Sequence, residues 1–401
     1  MPSTHDELMT RFLRNSPRRA VAATFGAFGL NAGVWAGASA AVVARVGMSA
    51  FLFGVALTVM TVLYLAAMSA AGTIAGRVGI RRTLLAALLA MGPTLALLIA
   101  VRTSLWLGSA LALFGLLAGL LDSSMNAEGS RVEQRAAKPI FAQFHAFCSA
   151  TTAAAAALGG WLAFHGLGWL AVLLVEAGLL AAALMVAQAI SEPAGEPRVG
   201  GLAAPRAIDA GLAVLGLAIG VSIVSETSAL AWAALLLRHT APNLAAYAGL
   251  GAAFFAGCQA AMRFGIDSLR RAFSDRALML VSYAVAASGL AIVGADLGFS
   301  ASALGFAILG AGTGAIVPCG FSLAARRPGL SAGLAISAVS FFGLAPRAPA
   351  PLLTGVVADA FSLSSAFFGL AAFMLVALVA VVFFVPAAPR AAKLAPGGVA
   401  P

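Results

Sequence analysis

Apolar runs of about twenty residues recur along the whole chain, separated by short polar breaks, and this pattern limits the possible folds more than any other feature. A helix needs roughly 20 apolar residues to cross a ~30 Å hydrocarbon core. Of the 401 residues, 62% are hydrophobic and only 9% are charged, with a mean hydropathy of +1.01. That is more apolar side chain than a water-exposed surface can hide, so the bilayer is the expected solvent. The runs lie near 20–43, 51–71, 83–101, 105–127, 140–163, 168–189, 208–236, 244–263, 278–295, 300–324, 330–356 and 364–386. They predict an all-α integral membrane protein of about twelve transmembrane helices. Its first 19 residues are polar and basic without a short apolar core, which argues against a cleaved signal peptide.

The basic residues orient the spans. If the N-terminus is cytoplasmic, 20 of the 24 lysines and arginines fall in inside loops or tails, from Arg11, Arg14, Arg18 and Arg19 through Arg131, Arg135, Lys138, Arg198, Arg206, Arg263 and Arg276 to Arg390 and Lys393. Only Arg45, Arg102 and Arg238 fall outside, and Arg347 lies within a span. A missed helix would invert every loop after it, so the bias predicts both termini on the cytoplasmic side of the membrane. The net charge of +10 is scattered through short loops with no basic, aromatic-interleaved stripe, which gives no basis for nucleic-acid binding. Cys148, Cys258 and Cys319 sit in apolar runs and suggest packing, with no disulfide framework or metal site.

Six spans fall on each side of a polar, Pro- and Gly-containing stretch. This predicts a cytoplasmic tail over 1–19, a six-helix bundle over 20–190, a central loop over 191–206, a second bundle over 207–387 and a tail over 388–401. Trp35 answers Trp232, and Phe114-Gly115 answers Leu309-Gly310, at offsets near 196. Asp122 meets Val317 at that offset, so the polar chemistry is asymmetric on a symmetric frame.

The link after the second span reads Gly72-Thr-Ile-Ala-Gly76-Arg77-Val-Gly79-Ile-Arg81-Arg82. It resembles the G-x-x-x-D-R-x-G-R-R loop of major facilitator superfamily transporters, with Gly76 in place of the acid. A second copy, Arg263-Phe-Gly265-Ile-Asp267-Ser-Leu-Arg270-Arg271, follows the eighth span and does carry an acid, Asp267. Glycines there permit tight turns, and the arginines anchor to lipid phosphate or to neighbouring helix ends. Asp122-Ser-Ser-Met125-Asn126-Ala-Glu128, Val132-Glu133, Lys138-Pro139-Ile140, His145, Gly159-Gly160, and Glu226 followed by Trp232 resemble the YbjJ-like branch of that superfamily. The resemblance implies two six-helix bundles and alternating access to a midplane site. It makes Gly72, Arg77, Gly79, Arg81, Arg82, Asp267, Arg270 and Arg271 the expected cytoplasmic gating loops.

Ionisable residues inside spans cost roughly 2.5 to 3.5 kcal/mol at a helix centre, so each one needs a reason. Glu226 lies twelve residues before Arg238, about 18 Å along a helix and near the midplane, where it could carry a proton. Arg347 lies twelve residues before Asp359, at a similar depth, inside Pro346-Arg347-Ala348-Pro349-Ala350-Pro351. A regular helix is improbable there, and Arg347 could bind an anionic group or neutralise Glu226. Asp122 lies nearer the cytoplasmic end and suits a gate or a substrate contact. His145 could shuttle protons or simply pack, and Glu176 is a further mid-span acid. Asn31, Asn126 and Gln143 could hydrogen-bond a ligand or hold helices together, and Trp35 and Trp232 could stack on a ring.

The expected function is a secondary active transporter of a small organic solute that works as a monomer and uses an ion gradient, most simply protons. A receptor or a membrane-embedded enzyme with twelve spans is the alternative. No H-E-x-x-H, G-x-S-x-G or nucleotide-binding loop accompanies the helices, so catalytic residues, metals and cofactors are not expected.

Overall fold

The computed structural model describes residues 16–136, 140–192 and 210–385. The central loop from 193 on, the outer parts of both tails, and the arginines and lysines at 11, 14, 138, 198, 206, 390 and 393 lie outside the described residues. Fourteen α-helices follow one another: α1 Pro17–Val46, α2 Ala50–Val78, α3 Ile80–Ala100, α4 Ser104–Ala136, α5 Phe141–Phe164, α6 Gly168–Ala189, α7 Ala210–Thr240, α8 Leu250–Ala272, α9 Asp275–Gly294, α10 Phe299–Thr313, α11 Ile316–Ala325, α12 Ala332–Leu344, α13 Ala350–Ala360 and α14 Leu363–Phe384. Serine side chains start many of them. Ser16, Ser49, Ser274, Ser331 and Ser362 each accept a hydrogen bond from a first-turn backbone N–H, which would otherwise lack a partner at a helix start.

Among the described residues, ten helical segments are long and apolar enough to cross a bilayer, with α10 and α11 together forming one of them. Two more complete the twelve. One is α8, more polar than the rest because it carries Gln259 and Arg263 inside the protein. The other is the pair α12 and α13, interrupted at 345–349 where the prolines predict a break. The helices overrun the expected spans: α4 extends to Ala136 and α8 to Ala272. That overrun moves Arg263 from an expected loop into the body of a helix.

Lipid tails are as apolar as leucine, so the helices gain by packing closely rather than by escaping water. The first helix carries Gly26, Gly29, Gly33 and Gly37 on one stripe, and a methyl at any of the last three would strike the backbone of α5. Gly115 lies against the Met60 carbonyl, joining α4 to α2, and Gly310 lies in the same way against the Phe255 carbonyl, joining α10 to α8. The two glycines sit at equivalent places in the two halves, as do the four helices they join.

The first six helices pack chiefly on one another, and the remainder do likewise. Three seams join the halves: α5 with α8, α2 with α13, and α1 with α7. Their tightest backbone approaches, Gly54 to Gly355 and Gly160 to Gly249, lie away from the end that bears the α2–α3 and α8–α9 links. We refer to that latter end as the arginine-rich end.

Candidate functional site

Midway along the bundle the halves line a partly open cavity of about 230 Å³. The first half supplies Trp35 and Ala36 from α1, Thr61 and Tyr64 from α2, and Phe114 from α4; the second supplies Thr227, Ser228 and Trp232 from α7, with Arg347 and Pro351 from the broken span. Trp35 and Trp232 are both buried, and Trp232 also meets the Phe53 ring edge-on at 5.1 Å. The repeat landmarks in the sequence therefore become one indole from each half on the wall of one cavity.

Arg347 is held by the chain break between α12 and α13. Its guanidinium lies over the Tyr64 ring, 4.8 Å from the ring centre. Close packing of α2 on α4 at Gly119, which faces the Tyr64 carbonyl, brings Tyr64 to Asp122. The Tyr64 hydroxyl donates to Asp122 Oδ2 at 2.5 Å, and Asn126 donates to Asp122 Oδ1 at 2.9 Å. The chain Arg347, Tyr64, Asp122, Asn126 thus runs from the cavity wall towards the arginine-rich end.

Glu226 does not pair with Arg347. Its Oε2 accepts from Arg263 Nη2 at 3.2 Å, since α8 carries that arginine into the interior beside α7. Arg263 also donates to Ser149 Oγ at 2.8 Å, Ser149 donates to Gln259 Oε1 at 3.2 Å, and Gln259 Nε2 donates to Thr313 Oγ1 at 3.2 Å. Ser149 belongs to the first half and the other four to the second, so a continuous polar network crosses the seam between α5 and α8. Arg347 is therefore not the sole basic residue deep in the bundle: it lies near enough to Glu226 for their charges to interact, but the direct ion pair of Glu226 is with Arg263.

Several other candidates lie elsewhere. Asn31 faces α3, donating weakly to the Met91 carbonyl at 3.5 Å, and is not among the residues that line the cavity, although its neighbour Ala32 is. His145 packs edge-on against Phe25 and Phe141, each 5.0 Å away, though near enough to Arg263 for their charges to interact. Gln143 accepts from Arg18 at 3.2 Å on an exposed face. The Glu176 carboxylate lies over Gly92 of α3, away from the cavity lining.

At the arginine-rich end, Gly79 links α2 to α3 with φ 98°, a backbone that favours glycine. Arg81 donates to the Ala187 carbonyl at the end of α6, while Gly72 and Arg77 lie in the last two turns of α2. The Glu192 carboxylate sits over Gly79 and accepts from the Arg82 N–H at 3.4 Å. Glu192 thus brings an acid to the link whose usual acidic position is Gly76.

In the second half, Arg276 donates to the carbonyls of Val385 and Val382 at the end of α14, which repeats the role of Arg81. Arg270 pairs with Asp275 at 2.7 Å, not with Asp267, which is exposed and forms no ion pair among the described residues. Arg326 also pairs with Asp275, and Ser322 bridges the cluster. Among the described residues the Arg271 side chain donates to Ser268. The signal for Asp275 was present in the sequence: Ser-Asp-Arg after a basic run has the form of a capped helix start with an acid in its first turn.

No family model matches the chain. It is similar to an uncharacterised transporter of Sinorhizobium fredii, 28% identical over 88% of this chain and 94% of the relative. It is also similar to an uncharacterised MFS-type transporter of Yersinia pestis, 27% identical over 84% of this chain and 88% of the relative. Membrane protein MosC of Rhizobium meliloti is 27% identical over 82% and 81% of the two chains. In solved structures, the fold matches a mutant of the nucleoside transporter NupG with a TM-score of 0.74 at 10% identity, covering 92% of this chain and all of that one. It matches the human organic anion transporter MFSD10 with a TM-score of 0.58 at 15% identity, covering 91% and 99%. The fold is that of a multi-pass membrane protein, and two of these relatives and both solved structures are transporters by name. Over most of its length the chain is thus similar to a transporter of the major facilitator type. The narrower YbjJ-like likeness rests on the sequence residues alone.

Proposed function

We propose that the protein is a proton-coupled secondary transporter that moves a small organic solute across the bacterial inner membrane by alternating access, acting as a monomer with no catalytic activity. The observation that carries this reading is a cavity between two halves whose seam is crossed, beside it, by the hydrogen bond from Arg263, the ion partner of Glu226, to Ser149. With the arginine-rich end in the cytoplasm, the tight seams at the other end close the outer side, and the arrangement faces inward.

Protonation supplies the coupling. A neutral Glu226 no longer holds Arg263, which frees the Arg263 bond to Ser149 and loosens the link between α8 and α5. Solute binding next to Thr227 and Ser228, the residues that follow Glu226, biases the same pair. The test is uptake into energised vesicles against a panel of sugars, polyols, organic acids and drugs. The wild-type protein should accumulate a solute under a pH gradient, whereas Glu226→Gln should still exchange it but lose accumulation. Accumulation at the wild-type level in Glu226→Gln removes Glu226 from the coupling.

A further inference from the structure

We propose that the central cavity recognises a compact monoanion with an apolar ring, of the aromatic monocarboxylate class, with its carboxylate on Arg347 and its ring between Trp35 and Trp232. This rests on the transport reading only for the cavity's being the solute site. Size sets the first bound. An apolar cavity of ~150 Å³ holds a benzene, so about 230 Å³ accommodates one ring with a short substituent.

The polar inventory of the wall sets the second. The Thr61 hydroxyl donates to the Leu57 carbonyl at 2.8 Å, the Thr227 hydroxyl is taken by Ile223 and Val224 at 3.0 Å, and the Tyr64 hydroxyl donates to Asp122. As donors, Ser228, Arg347 and the indole N–H groups of Trp35 and Trp232 are left for a ligand. A polyol or sugar would exchange many water hydrogen bonds for few protein ones, and the unmade bonds would weigh against it. An apolar body faces no such loss.

Charge sets the third. No lining residue is acidic, and Arg347 is the one basic group on the wall. Among the described residues no carboxylate comes within the 4.0 Å ion-pair limit of its guanidinium, and its buried Nε has no hydrogen-bond partner. Asp122 and Glu226 both lie close enough to interact with Arg347 electrostatically, but Asp122 already accepts from Tyr64 and Asn126, and Glu226 from Arg263. Stacking on Tyr64 leaves the in-plane N–H edge of the guanidinium open to a planar carboxylate. The N-terminal, positive end of α13 begins at Ala350 just beyond it, and Pro351 of that first turn lines the cavity. One guanidinium matches one negative charge.

The test is equilibrium binding to the purified full chain in nanodiscs, by calorimetry, with benzoate, cyclohexanecarboxylate and indole-3-carboxylate against benzyl alcohol and a hexitol. At least one carboxylate should bind saturably, with benzyl alcohol about 10- to 100-fold weaker and the hexitol weaker still. Arg347→Lys should weaken the carboxylate about tenfold or more and leave benzyl alcohol unchanged. Ala231→Phe, which fills the cavity, should weaken both. Equal binding of acid and alcohol, tighter binding of the hexitol, or no saturable carboxylate binding to protein of normal melting temperature overturns the proposal. The acid-to-alcohol comparison uses unaltered protein, so it stands even if a variant misfolds. Binding needs no gradient, so a protein that binds benzoate but moves nothing loses the transport reading and keeps this one.

Discussion

Substituting Gly249 by alanine should open the seam between α5 and α8 at the end opposite the arginine-rich one. Gly249 has φ −62° and ψ −16°, a backbone that alanine adopts freely, so the cost comes only from the partner helix. A methyl there would stand 2.2 Å from the Ala156 carbonyl oxygen and 3.3 Å from the Gly160 Cα. Ordinary contact is 3.4 Å or more, so the two backbones must part by about 1 Å. Overpacking of this kind costs about 1–3 kcal/mol. Because it is felt only while the seam is closed, it should shift the closed-to-open ratio by about 5- to 150-fold. Spin labels on Trp161→Cys and Tyr247→Cys, in a background with the three native cysteines replaced, report the gap by pulsed electron resonance; both positions are exposed. The parent should show mainly one short distance, and Gly249→Ala should gain a longer population. Gly257→Ala is the control, because its methyl would meet Ala153 at an ordinary 3.6 Å. An unchanged distance distribution in stable Gly249→Ala protein refutes the seam as the closing contact.

Arg263→Gln should destabilise the protein by about 3–5 kcal/mol, because it strands the Glu226 carboxylate among mostly buried groups, and Glu226→Gln should recover much of that loss in the double variant. Thermal melting of the four proteins in one detergent checks this, and additive effects would show that the two side chains are not a pair. Asp275→Asn should lower the melting temperature by the equivalent of about 1–3 kcal/mol through loss of its charged partners Arg270 and Arg326. Asp267→Asn should change it little, and the reverse order would restore Asp267 to the role that the loop pattern first suggests.

Much of the architecture was legible because membrane insertion writes it into the chain. Twelve apolar segments, the alternation of basic links and the proline-rich break before α13 each follow from local composition. Helix ends were harder to place: α8 is amphipathic, and its apolar run stops at Arg263 although the helix continues nine residues further to Ala272. That misplacement hid the partner of Glu226. Which buried charges meet depends on the rotation of each helix about its axis and on the approach of its neighbours. Depth along the chain speaks to neither. Tyr64 escaped notice for the same reason: a lone tyrosine in an apolar run gains meaning only when Gly119 brings α2 onto α4 and sets it between Asp122 and Arg347. Glu192 belongs in the same group, since an acid more than a hundred residues away supplies the link that lacks one at Gly76.

The proposed transport mechanism requires one cavity that opens in turn to the two sides of the membrane. Thr61, on α2, lines that cavity and is partly exposed. The most direct measurement is the rate at which a membrane-impermeant thiol reagent modifies Thr61→Cys, in an otherwise cysteine-free chain, from each face of sealed vesicles with and without a pH gradient. At rest the reagent should reach the new thiol from the face that bears the arginine-rich links. Imposing the gradient, or adding Gly249→Ala, should raise the rate from the opposite face, and modification should stop transport. Modification from a single face under every condition, or full transport after complete modification, would contradict the account.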